Sequence, residues 1–262
     1  MNEFSHKKIT EVALKDVFSN LELEEIIKGA ILPDKDENQK GYVYHFYNPV
    51  TKANYLGNEF HAKAKCIYHL GKYIKTKDLV ELGRAIHFLE DICTPVHTQY
   101  EDSSDSILKL KLHLDFEKEL DNVVVSKMEF IVANLVLLNK GTNSLSNFID
   151  NIALKSAKNY YIYRKYGKRS NVLIETIKNA YKSIYNFVNE YVFKIKEKQV
   201  KEIISKENKE VIGIIINEGN NNINAETINS NYKLRISENE VLIFKKGGAL
   251  KNYELEEVIE IE

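Results

Sequence analysis

The chain has 262 residues, of which 44% are hydrophobic and 29% charged, and its 37 Lys and Arg almost balance its 38 Asp and Glu. A net charge of -1 gives no bulk attraction to nucleic acid or to an anionic membrane, and no apolar run reaches the ~18 residues of a membrane span. The length suits one large domain, or one domain with a small appendage.

Apolar residues at Ile9, Val12, Ala13 and Val17, then Leu23, Ile26 and Ile27, follow the helical period and predict helix from Ile9 to about Ala30. Ser5 is expected to cap it, which places His6 in its first turn. Ile31–Gly57 is rich in Asp, Asn and Lys and reads as a loop carrying Asp34 and His45. A loop of that length inside a compact domain is uncommon and often functional. Helices are expected over Asn58–Lys75 and Lys77–Thr94, then a turn at Asp102–Asp105. Further helices are expected over Ile107–Asp121 and Val123–Asn139, the second apolar enough to be buried, and two long ones over Leu145–Lys165 and Val172–Lys201. From Val211 onward, short β-branched runs between turn signals predict three or four antiparallel strands. A module that small is marginal alone and is expected to pack on the helices or on a partner. The expected division is thus a helical domain, 1–203, and a small β-rich segment, 204–262. Cys66 and Cys93 lack metal-type C-x-x-C spacing and read as free core thiols.

The stretch from Arg84 to Glu119 concentrates the chemistry. His87 and Asp91 are four apart, and so are His113 and Glu117. On helices each pair shares a face. Pro95 ends the first helix, and His97 falls just after it in the connection. Two helices that each present such a pair can hold metal between them; the plainer alternative is two amphipathic helices with incidental histidines. His6 and His45 lie in contexts that suit the same site. More than four such ligands exceed the needs of one tetrahedral zinc, which points to two or more metals with open positions. His61 and His69, eight apart on one expected helix, read as solvated or internally satisfied.

Five segments carry a resemblance: H-x-x-I-T at His6, L-P-D at Asp34, HFYNP at His45, IHFLEDICTPVH from Ile86 to His97, and HLDFE from His113 to Glu117. In order and type they resemble the zinc-dependent bacterial phospholipase C family, which includes the clostridial alpha toxin and the Bacillus phosphatidylcholine-preferring enzyme and is distantly related to the zinc-dependent single-strand-specific nucleases. The resemblance implies an all-α, multi-helix bundle with the small antiparallel β appendage at its C-terminal end, and up to three zinc ions. It assigns Asp34, His45, His87 and Asp91 to one zinc, and His97, His113 and Glu117 to a second. His6, the backbone of the amino-terminal residue Met1, and Asp91 as a bridge would hold the third. Asp34 is also implied as the catalytic group that orients or deprotonates the attacking water.

The chain departs from the family pattern at three places. Met1 stands where the family has Trp, and only five residues before His6, an offset closer to the nuclease branch; Asn48 replaces the Asp of HFxDP; and Glu90 replaces the Gly before the bridging Asp. Glu90 is expected on a solvated helix face. The β segment sits where the toxins carry a lipid-binding β-sandwich, but is far shorter.

The expected activity is zinc-dependent hydrolysis of glycerophospholipids to diacylglycerol and a phosphorylated headgroup, with phospholipid, and with it a membrane surface, as the partner. A nuclease or phosphatase on the same metal core is the alternative. Lysines spread through the chain rather than clustered count against nucleic acid. A non-catalytic zinc-bound interaction domain is the third reading. Tyr47, Tyr55, Phe46 and Phe60 are near enough in sequence to contribute to a choline-binding box but read as core. The first residues have no apolar signal region, so the chain as written is expected in the cytoplasm, although the family it resembles is secreted.

Overall fold

The computed structural model describes residues 1–35, 42–54, 57, 61–98, 106–133, 135, 144–166, 169–207, 209–219, 222–227, 231–237, 240–247 and 253–260. Among these are seven α-helices: α1 (Glu3–Leu14), α2 (Asn20–Lys35), α3 (Ala62–Thr76), α4 (Leu79–Cys93), α5 (Ser106–Ala133), α6 (Leu145–Tyr166) and α7 (Arg169–Phe187). None is long and apolar enough to cross a membrane.

The bundle is built around α4. Asp78 caps its start by accepting from the Val80 amide at 2.9 Å, and every residue from Ala85 to Thr98 is buried. A helix covered on all sides must have neighbours all round, and α2, α3, α6 and α7 supply them. The approach of α2 is unusually close. A Cβ on Gly29 would lie 2.2 Å from the Val80 carbonyl oxygen, and one on Gly83 would lie 2.0 Å from that of Ile26. Only glycine permits this backbone-to-backbone contact, and it brings the end of α2 against the middle of α4.

Several boundaries differ from expectation. The first helical run is two helices, broken between Leu14 and Asn20. Asn2, not Ser5, holds the cap position of α1, and the Ser5 hydroxyl instead donates to Asp121 on α5. The segment from Ile31 to Lys35 is helix, with Pro33 inside it, so Asp34 rides on the last turn of α2 rather than in a loop. Within Ser106–Ala133 the two expected helices are one, α5. It is not buried throughout, since Val125 and Phe130 face outward while Val124, Met128 and Ile131 pack inward. The turn expected at Asp102–Asp105 lies outside the described residues.

After α7 a single π-helical turn, Val188–Val192, ends the bundle. Among the described residues six strands follow rather than three or four: β1 (Val200–Ile204), β2 (Val211–Asn217), β3 (Ile223–Thr227), β4 (Tyr232–Ser237), β5 (Glu240–Lys246) and β6 (Tyr253–Glu260). They form two antiparallel three-stranded sheets, β1-β2-β3 and β4-β5-β6. The two sheets share a small core of Ile203, Ile212, Ile215, Tyr232, Val241 and Ile243. The additional strands, β1 and β3, lack the apolar runs that marked the other four, and only pairing to β2 defines them. β1 starts at Val200, so the division expected after residue 203 runs through it.

The other face of the first sheet joins the helical core through Val200, Ile214 and Ile216. Gly71 of α3 leaves room for Ile214, which would otherwise lie 2.4 Å from a Cβ. The Glu218 carboxylate accepts from the Leu145 amide at 2.9 and 3.0 Å, so the β2–β3 connection caps α6.

Candidate metal centre

Five elements converge on Asp91. On α4, His87 and Asp91 share a face as their spacing requires, and His87 Nε2 lies 3.2 Å from Asp91 Oδ2. The close approach of α2 lets His87 Nδ1 donate to the Ala30 carbonyl at 2.8 Å. That bond fixes the ring tautomer and turns Nε2 and its lone pair inward. His45 ends a 3-10 turn, Tyr42–His45, with Nδ1 at 2.6 Å from Asp91 Oδ2 and 3.1 Å from His87 Nε2. Asp34, at the end of α2, places Oδ1 3.8 Å from His45 Nδ1 and 3.7 Å from His87 Nε2.

Pro95 stops α4 and opens a second 3-10 turn, Pro95–His97. It is pinned by the Tyr47 amide, which donates to the His97 carbonyl at 3.0 Å. His97 Nδ1 comes 3.0 Å from Asp91 Oδ1, and its Nε2 lies 3.5 Å from Glu117 Oε1. On α5, His113 Nε2 is 3.1 Å from the same Glu117 oxygen, and its ring stacks on His97 at 4.8 Å. The Met1 amine reaches the centre too, 3.0 Å from Asp91 Oδ1 and 3.3 Å from Glu117 Oε1. His6 Nε2 lies 3.5 Å from Asp91 Oδ1. All nine positions singled out in the sequence are therefore assembled in one place.

Two groups that position these atoms were not anticipated. Asp121 accepts from Asn2 Nδ2 at 2.7 Å and from Ser5, and so ties the first residues to α5. The sequence holds a signal for it: Asp121 continues the four-residue spacing of His113 and Glu117. Glu90 is the second. It is fully buried, not solvated, and its Oε2 lies 2.6 Å from His6 Nδ1. Helical periodicity put it on an outer face, but α1 covers that face.

The electrostatics fit cations. One buried carboxylate, Asp91, has five nitrogens within 3.5 Å. Burial would raise its pKa, but the Met1 amine, His97, His87 and His45 hold it well below the usual carboxylate range. Burial opposes charge on the Met1 amine, yet Asp91, Glu117 and Asp34 push it up to about 11. Burial and the neighbouring His6 push His87 down to about 4. Ring nitrogens are also crowded here: buried His6 Nε2 and both nitrogens of His97 lie 3.0 to 3.5 Å from carboxylate oxygens without well-aligned hydrogen bonds. A neutral imidazole keeps a lone pair on one nitrogen, and a buried lone pair is costly unless something accepts it. Among the described residues there are three sets whose ligand-type atoms lie within 4.8 Å of one another: His6, Asp34 and His87; His45, His87 and Asp91; and His97, His113 and Glu117. His- and carboxylate-rich sets of this kind suit zinc.

Histidines outside the centre are accounted for separately. His61 caps α3 by accepting from the Ala64 amide at 3.1 Å. His69 bonds Glu81 at 2.6 Å and stacks on Phe88. Phe46 packs on His97, and Tyr47 donates to Asp150 at 2.5 Å, both buried; Tyr55 and Phe60 lie outside the described residues. Cys66 and Cys93 are buried and free.

Comparison with known proteins matches the family model for zinc dependent phospholipase C to residues 5–191. No curated protein matches the sequence. The structure resembles an alpha toxin from Clostridium absonum, with a TM-score of 0.59 at 14% identity, over 98% of this chain and 96% of the toxin's. An alpha-toxin from an avian strain of Clostridium perfringens aligns with a TM-score of 0.48 at 14% identity, over 99% of this chain and 95% of that one. The first match supports a shared fold, including the β region.

Proposed function

The chain belongs to the zinc-dependent phospholipase C family, and from that premise we propose that it hydrolyses glycerophospholipids to diacylglycerol and a phosphorylated headgroup at a centre of three zinc ions. The observation that carries the reading is convergence on one carboxylate: Asp91 lies within 3.5 Å of His6, His45, His87, His97 and the Met1 amine, and so touches residues of all three sets. A structural zinc needs one closed set of four, whereas this centre offers nine donors. His45, His87, Asp91 and Asp34 would hold one ion; His97, His113 and Glu117 a second; and His6, Met1 and Asp91 a third. Zinc held by these residues would supply Lewis acidity, lowering the pKa of a water toward neutrality and offsetting the charge of a phosphodiester.

The rest is the work of the side chains. Asp34 is about one-third exposed while Asp91 and His87 are fully buried, so it stands at the open rim where substrate and water arrive. Its carboxylate takes the proton of the attacking water as that oxygen bonds to phosphorus and the bond from phosphorus to the glycerol oxygen breaks, and the departing oxygen takes a proton from Asp34 or solvent to leave as the diacylglycerol hydroxyl. Phe46 and Phe88, packed against His97 and His45, keep those rings in place. The substrate would be met at a membrane surface.

The test is zinc content of the purified protein, with its N-terminus identified, beside hydrolysis of phospholipid and nucleotide diesters at matched metal loading. About three zincs per chain and lipid turnover are expected. Nucleotide turnover alone would move the activity to the nuclease branch, and full zinc loading with neither activity would sink the enzymatic reading.

A further inference from the structure

Glu90 is the buried charge that the proposed chemistry does not use. It lies next to Asp91 on α4, and neither carboxylate is exposed. Two adjacent buried carboxylates on one helix are unfavourable unless positive charge lies close to both. Asp91 faces the five nitrogens of the centre. Glu90 points to the other side of His6, where its Oε2 lies 2.6 Å from Nδ1 and its Oε1 accepts from the Thr10 hydroxyl at 3.2 Å. Thr10 is one turn beyond His6 on α1 and is fully buried. Its hydroxyl therefore holds the carboxylate in line with the ring. The ring is held from its flat side as well, stacked on His87 at 4.1 Å.

An ionised carboxylate only accepts hydrogen bonds, and a neutral imidazole carries its hydrogen on one nitrogen. With Glu90 on Nδ1, the hydrogen stays there. Nε2, buried and 3.5 Å from the Asp91 oxygen that the Met1 amine also approaches, is the nitrogen left to offer a lone pair to a cation. A carboxylate behind a ligating histidine also raises the ligand's basicity and adds negative charge to the site.

We propose that Glu90 is a positioning residue for the third zinc: with Thr10 it locks His6 in the tautomer and orientation that present Nε2 as a ligand. The proposal rests on the three-zinc reading above. It assigns Glu90 no contact with substrate.

The experiment measures zinc per chain by atomic emission during dialysis against graded chelator, for wild type, Glu90→Gln and Thr10→Val, each with its N-terminus identified. Glu90→Gln keeps the size of the side chain and removes its charge. It should weaken one zinc equivalent by about 10- to 100-fold and leave the other two at wild-type affinity. Thr10→Val should weaken the same equivalent by a smaller factor. Melting of the metal-free chains separates positioning from packing. A Glu90→Gln chain that melts lower but binds its third zinc as tightly as wild type would overturn the proposal. So would equal weakening of all three equivalents. If wild type itself holds fewer than three zincs, the three-zinc reading fails on that arm and takes this proposal with it. If wild type holds three and Glu90→Gln matches it, only the role of Glu90 falls.

Discussion

Two regions of this molecule bury histidines, and they do so in opposite ways. Around α3, His61 and His69 each have one local partner: an amide at the helix start for the first, Glu81 for the second. Around Asp91, five histidines, each on a different element, and an amine crowd carboxylates and one another. Burial alone does not distinguish these regions, because His69 and His87 are both covered. What distinguishes them is the balance of ligand-type groups around one point. His69 Nε2 is itself buried without a hydrogen-bond partner, but among the described residues neither His61 nor His69 belongs to a set of three ligand-type side chains, whereas three such sets meet at the centre. A buried histidine held by one neighbour is part of the core; buried histidines aimed at a common point imply a cation.

The contrast can be broken most severely at Asp91. Replacing it with Asn removes the carboxylate that five nitrogens approach. It should abolish turnover and lower zinc content more than any other single change at the centre; zinc content equal to wild type would show that the convergence is incidental. Glu117→Ala should remove one zinc, that of the His97 and His113 set, and with it turnover; normal activity would remove Glu117 from the ligands. Asp34→Asn probes the rim rather than the interior. Its expected effect is a fall in kcat of about 10²- to 10⁴-fold with zinc content close to wild type, and an unchanged kcat would take Asp34 out of the mechanism.

The smallest effect is expected on α3. Burial holds His69 neutral, with its pKa pushed down to about 4 despite the bond to Glu81. Between pH 6.5 and about 4 the unfolded chain takes up a proton here that the folded chain refuses. Stability therefore falls as pH drops through that window, by roughly 3 kcal/mol at its lower end. His69→Gln should leave zinc content unchanged and flatten that part of the stability–pH curve, as read from denaturant midpoints of the metal-free chains. A lost zinc in that variant would erase the distinction between the two regions.

The same balance explains what could be read early. The four-residue spacings of His87 with Asp91 and of His113 with Glu117 are local, and a helix turns them into adjacent pairs whatever surrounds it. His97 was legible because Pro95 must end α4 just before it. Glu90 was misread because amphipathic periodicity assumes one covered face, whereas α4 is covered on every side. β1 and β3 were missed for a related reason. Their residues carry weak strand patterns, and hydrogen bonding to β2 made them strands.

The sequence by itself determined the helices, the ligand types, their order and the family, because these rest on chemistry and spacing within a few residues. Only the tertiary structure decided that Met1, His6, Asp34 and His45 meet the α4 and α5 pairs. That meeting depends on long-range contacts: the glycine-permitted approach of α2 to α4, and the hold of Asp121 on the start of the chain. It also decided that the charge on Glu90 faces inward, since the exposure of a side chain is set by what packs over it and not by its place in the helical period.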